Sequence, residues 1–116
     1  MLLAKQQLRK GKNMLVTTAD IVPGQKVQII GLVSGCVVTS KHIGRDLMAG
    51  FKSMAGGEIK SYTNMMIEGR QIAEQRMAEN AQRMGADAVV AMRFDGGSLM
   101  EGTVDFTAYG TAVKFV

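Results

Sequence analysis

The stretch RMGADAVVAMRFDGG, residues 83–97, passes from helical spacing to strict alternation at a single glycine, and that joint decides how the chain is read. Before it, Tyr62, Met65, Met66, Gly69, Ile72, Ala73, Met77, Ala81 and Met84 recur at steps of three and four. Glu68, Glu74, Arg76, Glu79 and Arg83 lie largely off that stripe. The spacing predicts an amphipathic helix laying one face on a sheet. Gly69 on the stripe lowers helix propensity by roughly 1 kcal/mol against alanine, so it is expected to admit another backbone. Gly85 comes one residue past the stripe, where a left-handed conformation stops a helix at little cost. Ala86, Ala88, Val90, Met92 and Phe94 then fall on one parity, and Asp87, Val89, Ala91, Arg93 and Asp95 on the other. That alternation predicts a strand with one apolar and one mixed face. Gly96-Gly97 reads as the turn after it.

Downstream, TVDFTAYGTAVKFV (103–116) reads as a returning strand with Val104, Phe106 and Ala108 on one parity. Near Gly110 the pattern changes, and Val113 and Phe115 are apolar on the other. A bulge at Gly110, or a strand end that leaves its own sheet to pack on a neighbour, accounts for this. Upstream, Pro23-Gly24 marks a turn. Leu15 to Thr18 is a short edge strand or an extended arm, and Val27 to Thr39 is a strand apolar on both parities. Between them and the long helix, Ile43, Leu47, Met48, Phe51 and Met54 follow helical spacing. Ser40 is the N-cap of that segment and Gly56-Gly57 its end. The order is β-α-α-β-β, an α+β, two-layer domain. One helical layer covers one sheet face, so the second apolar face calls for another cover, most simply a neighbouring subunit.

Length and charge bound the rest. A chain of 116 residues makes one domain, and 47% apolar residues suit a globular core. No apolar run approaches the ~20 residues of a membrane span. The net charge of +4 is local: Lys5, Arg9, Lys10 and Lys12 fall in the first 13 residues, which hold no acid, and the remainder carries ten basic against ten acidic residues. Residues 1–13 read as a flexible basic extension and 14–116 as the domain, with Met14 a candidate start. A neutral body disfavours nucleic acid as a partner. With no secretory h-region and a lone Cys36, the expected compartment is the cytoplasm, with the thiol reduced.

The ordered set TTADIVPGQKVQIIGLVSG (17–35), GRD (44–46), Arg70 with Ile72-Ala73, GADAVV (85–90), Asp95 and GTAVK (110–114) resembles the YbjQ-like family of small bacterial proteins of unknown function, often labelled heavy-metal-binding. The resemblance runs from about Met14 to Val116. It implies a two-layer subunit like that of dodecin, with a three-stranded antiparallel sheet in order 1-3-2, assembled as a ring, typically a homopentamer.

The chemistry in the chain is sparse. Zinc takes about four Cys, His or carboxylate ligands, whereas Cys36 and His42 are single and stand in no CxxC or HxxxH pattern. Cys36 reads as a small core residue and His42 as a helix-start residue. A soft metal ion remains open to them only where ring symmetry gathers several copies of Cys36. The ten methionines mostly fall on helical stripes, as gap fillers. One histidine permits no Ser-His-Asp arrangement, and no phosphate-cradling glycine pattern is present. Arg45, Asp46, Arg70 and Asp95 remain as ligand-binding candidates. Arg45 pairing with Asp95 is a structural salt bridge, an anion site at a subunit junction, or the core of an inter-subunit hydrolase or isomerase.

Overall fold

A computed structural model describes residues 14–39, 60–98 and 103–116, with side chains in its helix from Thr63 onward. The basic extension, the helix expected around Ile43 to Met54 with its cap Ser40 and stop Gly56-Gly57, and the candidates His42, Arg45 and Asp46 lie outside the described residues. Four strands and one helix are described: β1 (Leu15–Val16), β2 (Val27–Thr39), α1 (Lys60–Arg83), β3 (Ala88–Gly97) and β4 (Val104–Phe115).

The α+β class holds, but the sheet is four-stranded and mixed, in order β1-β3-β4-β2, and not three-stranded and antiparallel. The difference is β1, whose Leu15 and Val16 lie parallel to Ala88 and Val89. β4 runs antiparallel to both β3 and β2. Helix α1 lies across β2 and β4 and buries Met65, Gly69, Ala73, Met77 and Ala81. Around Ala73, Met77 and Ala81 gather Val33, Val37, Val89, Met92, Phe106, Ala108 and Ala112. Met66, Ile72 and Met84, on the expected stripe, remain exposed. The helix ends as its sequence predicts: Gly85 has φ 82°. Its amide donates to the Gln82 carbonyl at 2.9 Å, and the Ala86 amide donates to the Ala81 carbonyl at 3.0 Å, the bond pair of a Schellman stop.

Close approach of helix to sheet happens at a glycine the sequence did not single out. A Cβ on Gly35 would strike the backbone of α1, lying 2.6 Å from the Ala73 carbonyl oxygen and 2.7 Å from the Arg76 carbonyl carbon. Gly69 admits a side chain, the Phe106 ring, at 2.6 Å from its Cβ position. The α1 side chains also close the outer edge of β2. Arg76 Nη1 donates to the Cys36 carbonyl and Asn80 Nδ2 to the Ser34 carbonyl, both at 2.8 Å. These bonds occupy the Ser34 and Cys36 carbonyls of an edge strand.

Two irregularities re-aim the strands. On β3, Val90 opposes Thr111 and Arg93 opposes Tyr109, so one extra residue sits in β3. Ala91 there has φ 52°. The bulge places Val89 and Met92 in the core under α1, and Ala88 and Val90 in a second cluster with Val22 and Val113. The expected single parity from Ala86 to Phe94 is therefore broken at Ala91. On β2, Ile29 opposes Val113 and Gly31 opposes Ala112, so Val27 and Ile29 share the far face with Leu32. The pattern change near Gly110 needs neither a bulge in β4 nor a departing strand end. Val113 and Phe115 are apolar because the chain covers its own far face there: residues 17–26 cross it and seat Val22, 5% exposed, on Ala88, Val90 and Val113.

That crossing segment is tied down at several points. The Ala91 amide donates to the Ala19 carbonyl at 2.7 Å, the Met92 amide to the Thr17 carbonyl at 3.0 Å, and Arg93 Nη1 to the Thr18 carbonyl at 3.1 Å. Pro23-Gly24 makes the turn at its end, with Gly24 at φ 74° and the Gln25 amide donating to the Val22 carbonyl. Gly96-Gly97 do not turn the chain. They belong to β3, opposite Phe106 and Asp105, so the reversal falls beyond them. Asp87 closes the far end: its Oδ2 accepts the Phe115 amide at 2.8 Å.

Candidate functional site: the open half of the sheet face

Among the described residues, the far face beyond Val22 is uncovered. Its residues follow from register. Leu32, Ser34, Cys36 and Val38 project from β2, the alternates to Val33, Gly35 and Val37 under the helix. They stand opposite Thr111, Tyr109, Thr107 and Asp105 of β4, which in turn oppose Val90, Arg93, Asp95 and Gly97 of β3. Two of the resulting rows are polar. One is Cys36-Thr107-Asp95, and the next is Ser34-Tyr109-Arg93. Apolar Leu32 and Val38 flank them, 76% and 49% exposed.

Cys36 is thus an exposed residue and not the core residue its strand position suggested. The extra residue in β2 sets this parity. Asp95 lies in the same row, two strands away. Adjacent strands are about 4.8 Å apart, so Cys36 and Asp95 stand roughly 10 Å apart at the backbone, too far to share one zinc ion with ligand distances near 2.0–2.3 Å. No group of three or more His, Cys, Asp or Glu able to hold a metal occurs among the described residues. Arg93 is engaged by the Thr18 and Met92 carbonyls, the latter at 2.7 Å, and so is turned away from Asp95.

Arg70 is elsewhere. It is exposed on α1 and lines a shallow hollow of about 260 Å³ with Ile67, Gln71, Glu74 and Phe94. Phe94 and Asp95 are neighbours on β3 and lie on opposite faces, so Arg70 and Asp95 do not meet within one chain. Thr107, Tyr109, Ser34 and Arg93, which line the open face with Cys36 and Asp95, were not singled out from the sequence. Arg93 and Asp95 share a parity that was legible. Their alignment with Tyr109, Thr107 and Cys36 needed the register.

A family model described as "Putative heavy-metal-binding" (YbjQ) matches residues 14–116. The UPF0145 protein of Vibrio parahaemolyticus is 55% identical over 104 residues, covering 89% of this chain and 99% of the relative. That of Thermotoga maritima is 53% identical over 102 residues, covering 87% and 96%. A crystal structure of a protein of unknown function from Pediococcus pentosaceus superposes with a TM-score of 0.64 at 17% identity, covering 89% of this chain and 98% of that one, a likeness of fold alone. With a match across its whole described length and relatives at half identity, the chain belongs to the YbjQ-like family, whose function is not established.

Proposed function

We propose that this chain is a non-enzymatic, cytoplasmic subunit of a ring-shaped homo-oligomer, a pentamer as the family resemblance implies, that holds a small ligand between subunits or at the ring axis. The observation that carries this reading is the half-open sheet. Helix α1 covers one face and residues 17–26 cover half of the other, yet Ile29 and Leu32 on the remainder are 72% and 76% exposed. Fully burying such a side chain is worth about 1.5–3 kcal/mol. A second copy on this face recovers that energy, and the polar rows of Ser34, Tyr109, Cys36, Thr107 and Asp95 supply hydrogen-bonding groups at the contact. Sedimentation velocity of the full chain tests it: a discrete oligomer persisting at low micromolar concentration is expected, and a dilution-independent monomer refutes it.

A second reading is favoured by the exposure of Cys36 together with the family description. Copies of Cys36 brought together by assembly would offer soft thiolate ligands to zinc or cuprous copper. Metal content after purification from metal-supplemented cells tests it. Stoichiometric soft metal lost in Cys36→Ser supports this reading, and an unchanged content removes it.

A further inference from the structure

Residues 17–26 cross the far face from β1 to β2, the two outer strands of the sheet. Val16 is level with Val89, Ala112 and Gly31, and Val27 with Phe115. The ends of the crossing therefore lie three strand spacings apart across the sheet and three residues apart along β4, roughly 17 Å in all. Ten residues can span roughly 33–36 Å, so this strap has slack enough to lift while β1 and β2 stay paired. Little holds it down. Val22 is its one buried side chain. The bonds that tie it to the sheet converge on the bulge of β3: the Ala91 amide donates to Ala19, the Met92 amide to Thr17 and Arg93 Nη1 to Thr18. Ala91 is left-handed there, at φ 52°, a conformation that costs a residue with a Cβ, and that strain works against the closed strap.

We propose that residues 17–26 form a two-position strap, and that lifting it transfers the Arg93 side chain to Asp95. With the strap closed, Arg93 Nη1 is held by the Thr18 and Met92 carbonyls, at 3.1 and 2.7 Å, and Asp95 has no ion pair among the described residues. The two residues stand two apart on β3, exposed and on one face. Their Cα atoms are about 7 Å apart, within reach of an arginine side chain. Lifting removes the Thr18 carbonyl and leaves the guanidinium with one backbone acceptor, whereas a carboxylate matches its planar fork and makes the stronger, charge-assisted bond. Uncovering Ala88, Val90 and Val113 loses apolar burial, so the closed position predominates and the lifted one is a minor state. The strap thereby sets what the open sheet face presents. Closed, it leaves a free carboxylate in the row with Cys36 and Thr107; lifted, it leaves a neutral pair. This goes beyond the assembly proposed above, because it concerns a single chain and fixes the charge pattern that any occupant of that face meets.

Native-state hydrogen exchange of the full chain tests this. The Ala91 and Met92 amides donate to the strap. They should exchange at least about tenfold faster than the Met77 amide of α1, and with little dependence on low urea, because lifting exposes little surface. Asp95→Asn takes away the partner that Arg93 gains on lifting, so exchange at both amides should slow about two- to fivefold, the worth of an exposed ion pair. In an Arg93→Gln background the same substitution should change nothing. Both side chains are exposed, so each variant is expected to match the parent by circular dichroism. Exchange at Ala91 and Met92 that equals Met77 in rate and urea dependence overturns the strap as a separate unit. Asp95→Asn without effect, or with the same effect in the Arg93→Gln background, overturns the transfer of Arg93.

Discussion

Replacing Gly35 by alanine puts one methyl group between β2 and α1, against a neighbour that cannot give way. The added Cβ lies 2.6 Å from the Ala73 carbonyl oxygen, where ordinary contact begins at about 3.4 Å. The obstacle is helix backbone, which cannot rotate aside as a side chain can. The Met77 amide nitrogen lies nearer still, so α1 must retreat by at least about 0.8 Å, and overpacking of this kind costs about 1–3 kcal/mol. The same retreat stretches the Arg76–Cys36 and Asn80–Ser34 hydrogen bonds, both 2.8 Å, to lengths of about 3.6 Å that no longer count as bonds. Each such bond contributes ~0.5–1.5 kcal/mol. A loss of about 2–6 kcal/mol results, a large part of the 5–15 kcal/mol typical of a domain. Thermal unfolding monitored by circular dichroism should show the midpoint lowered by roughly 10 °C or more. Gly69→Ala is the internal comparison, since its Cβ would meet the Phe106 ring, which can turn. A Gly35→Ala protein that melts with the parent would refute the claim that helix backbone rests on this strand.

Three further outcomes rest on the same contacts. Met77, fully buried between α1 and the sheet, should lose about 2–5 kcal/mol on substitution by alanine, read by urea denaturation; a loss under about 1 kcal/mol would contradict its place in the core. Asp87→Ala leaves the part-buried Phe115 amide without its acceptor and should cost about 1–3 kcal/mol, whereas Asp20→Ala, on the exposed surface, should be neutral in the same assay. Val22→Asp should release the segment over the second cluster, seen as faster hydrogen exchange at the Ala91 and Met92 amides that bond to it; unchanged protection there would show that the segment does not depend on its buried valine.

The residue order alone determined the local features. The stripe from Met65 to Ala81 and the stop at Gly85 arise from helical geometry and from the conformational freedom of one glycine, so α1 and its end were legible without coordinates. The Pro23-Gly24 turn was legible for the same reason, as was the doubly apolar character of β2. The tertiary structure alone decided which residues share a face. An extra residue in β2 near Ile30 and another in β3 at Ala91 each reverse the parity of the residues beyond them, and alternation cannot reveal a bulge that only a partner strand's register defines. That is why Cys36 reads as core and stands exposed, why the single parity expected from Ala86 to Phe94 breaks at Ala91, and why Val113 and Phe115 look anomalous until residues 17–26 are seen crossing over them. Contacts between residues distant in the chain carry no periodic signature, and in this protein they are what set the candidate interface.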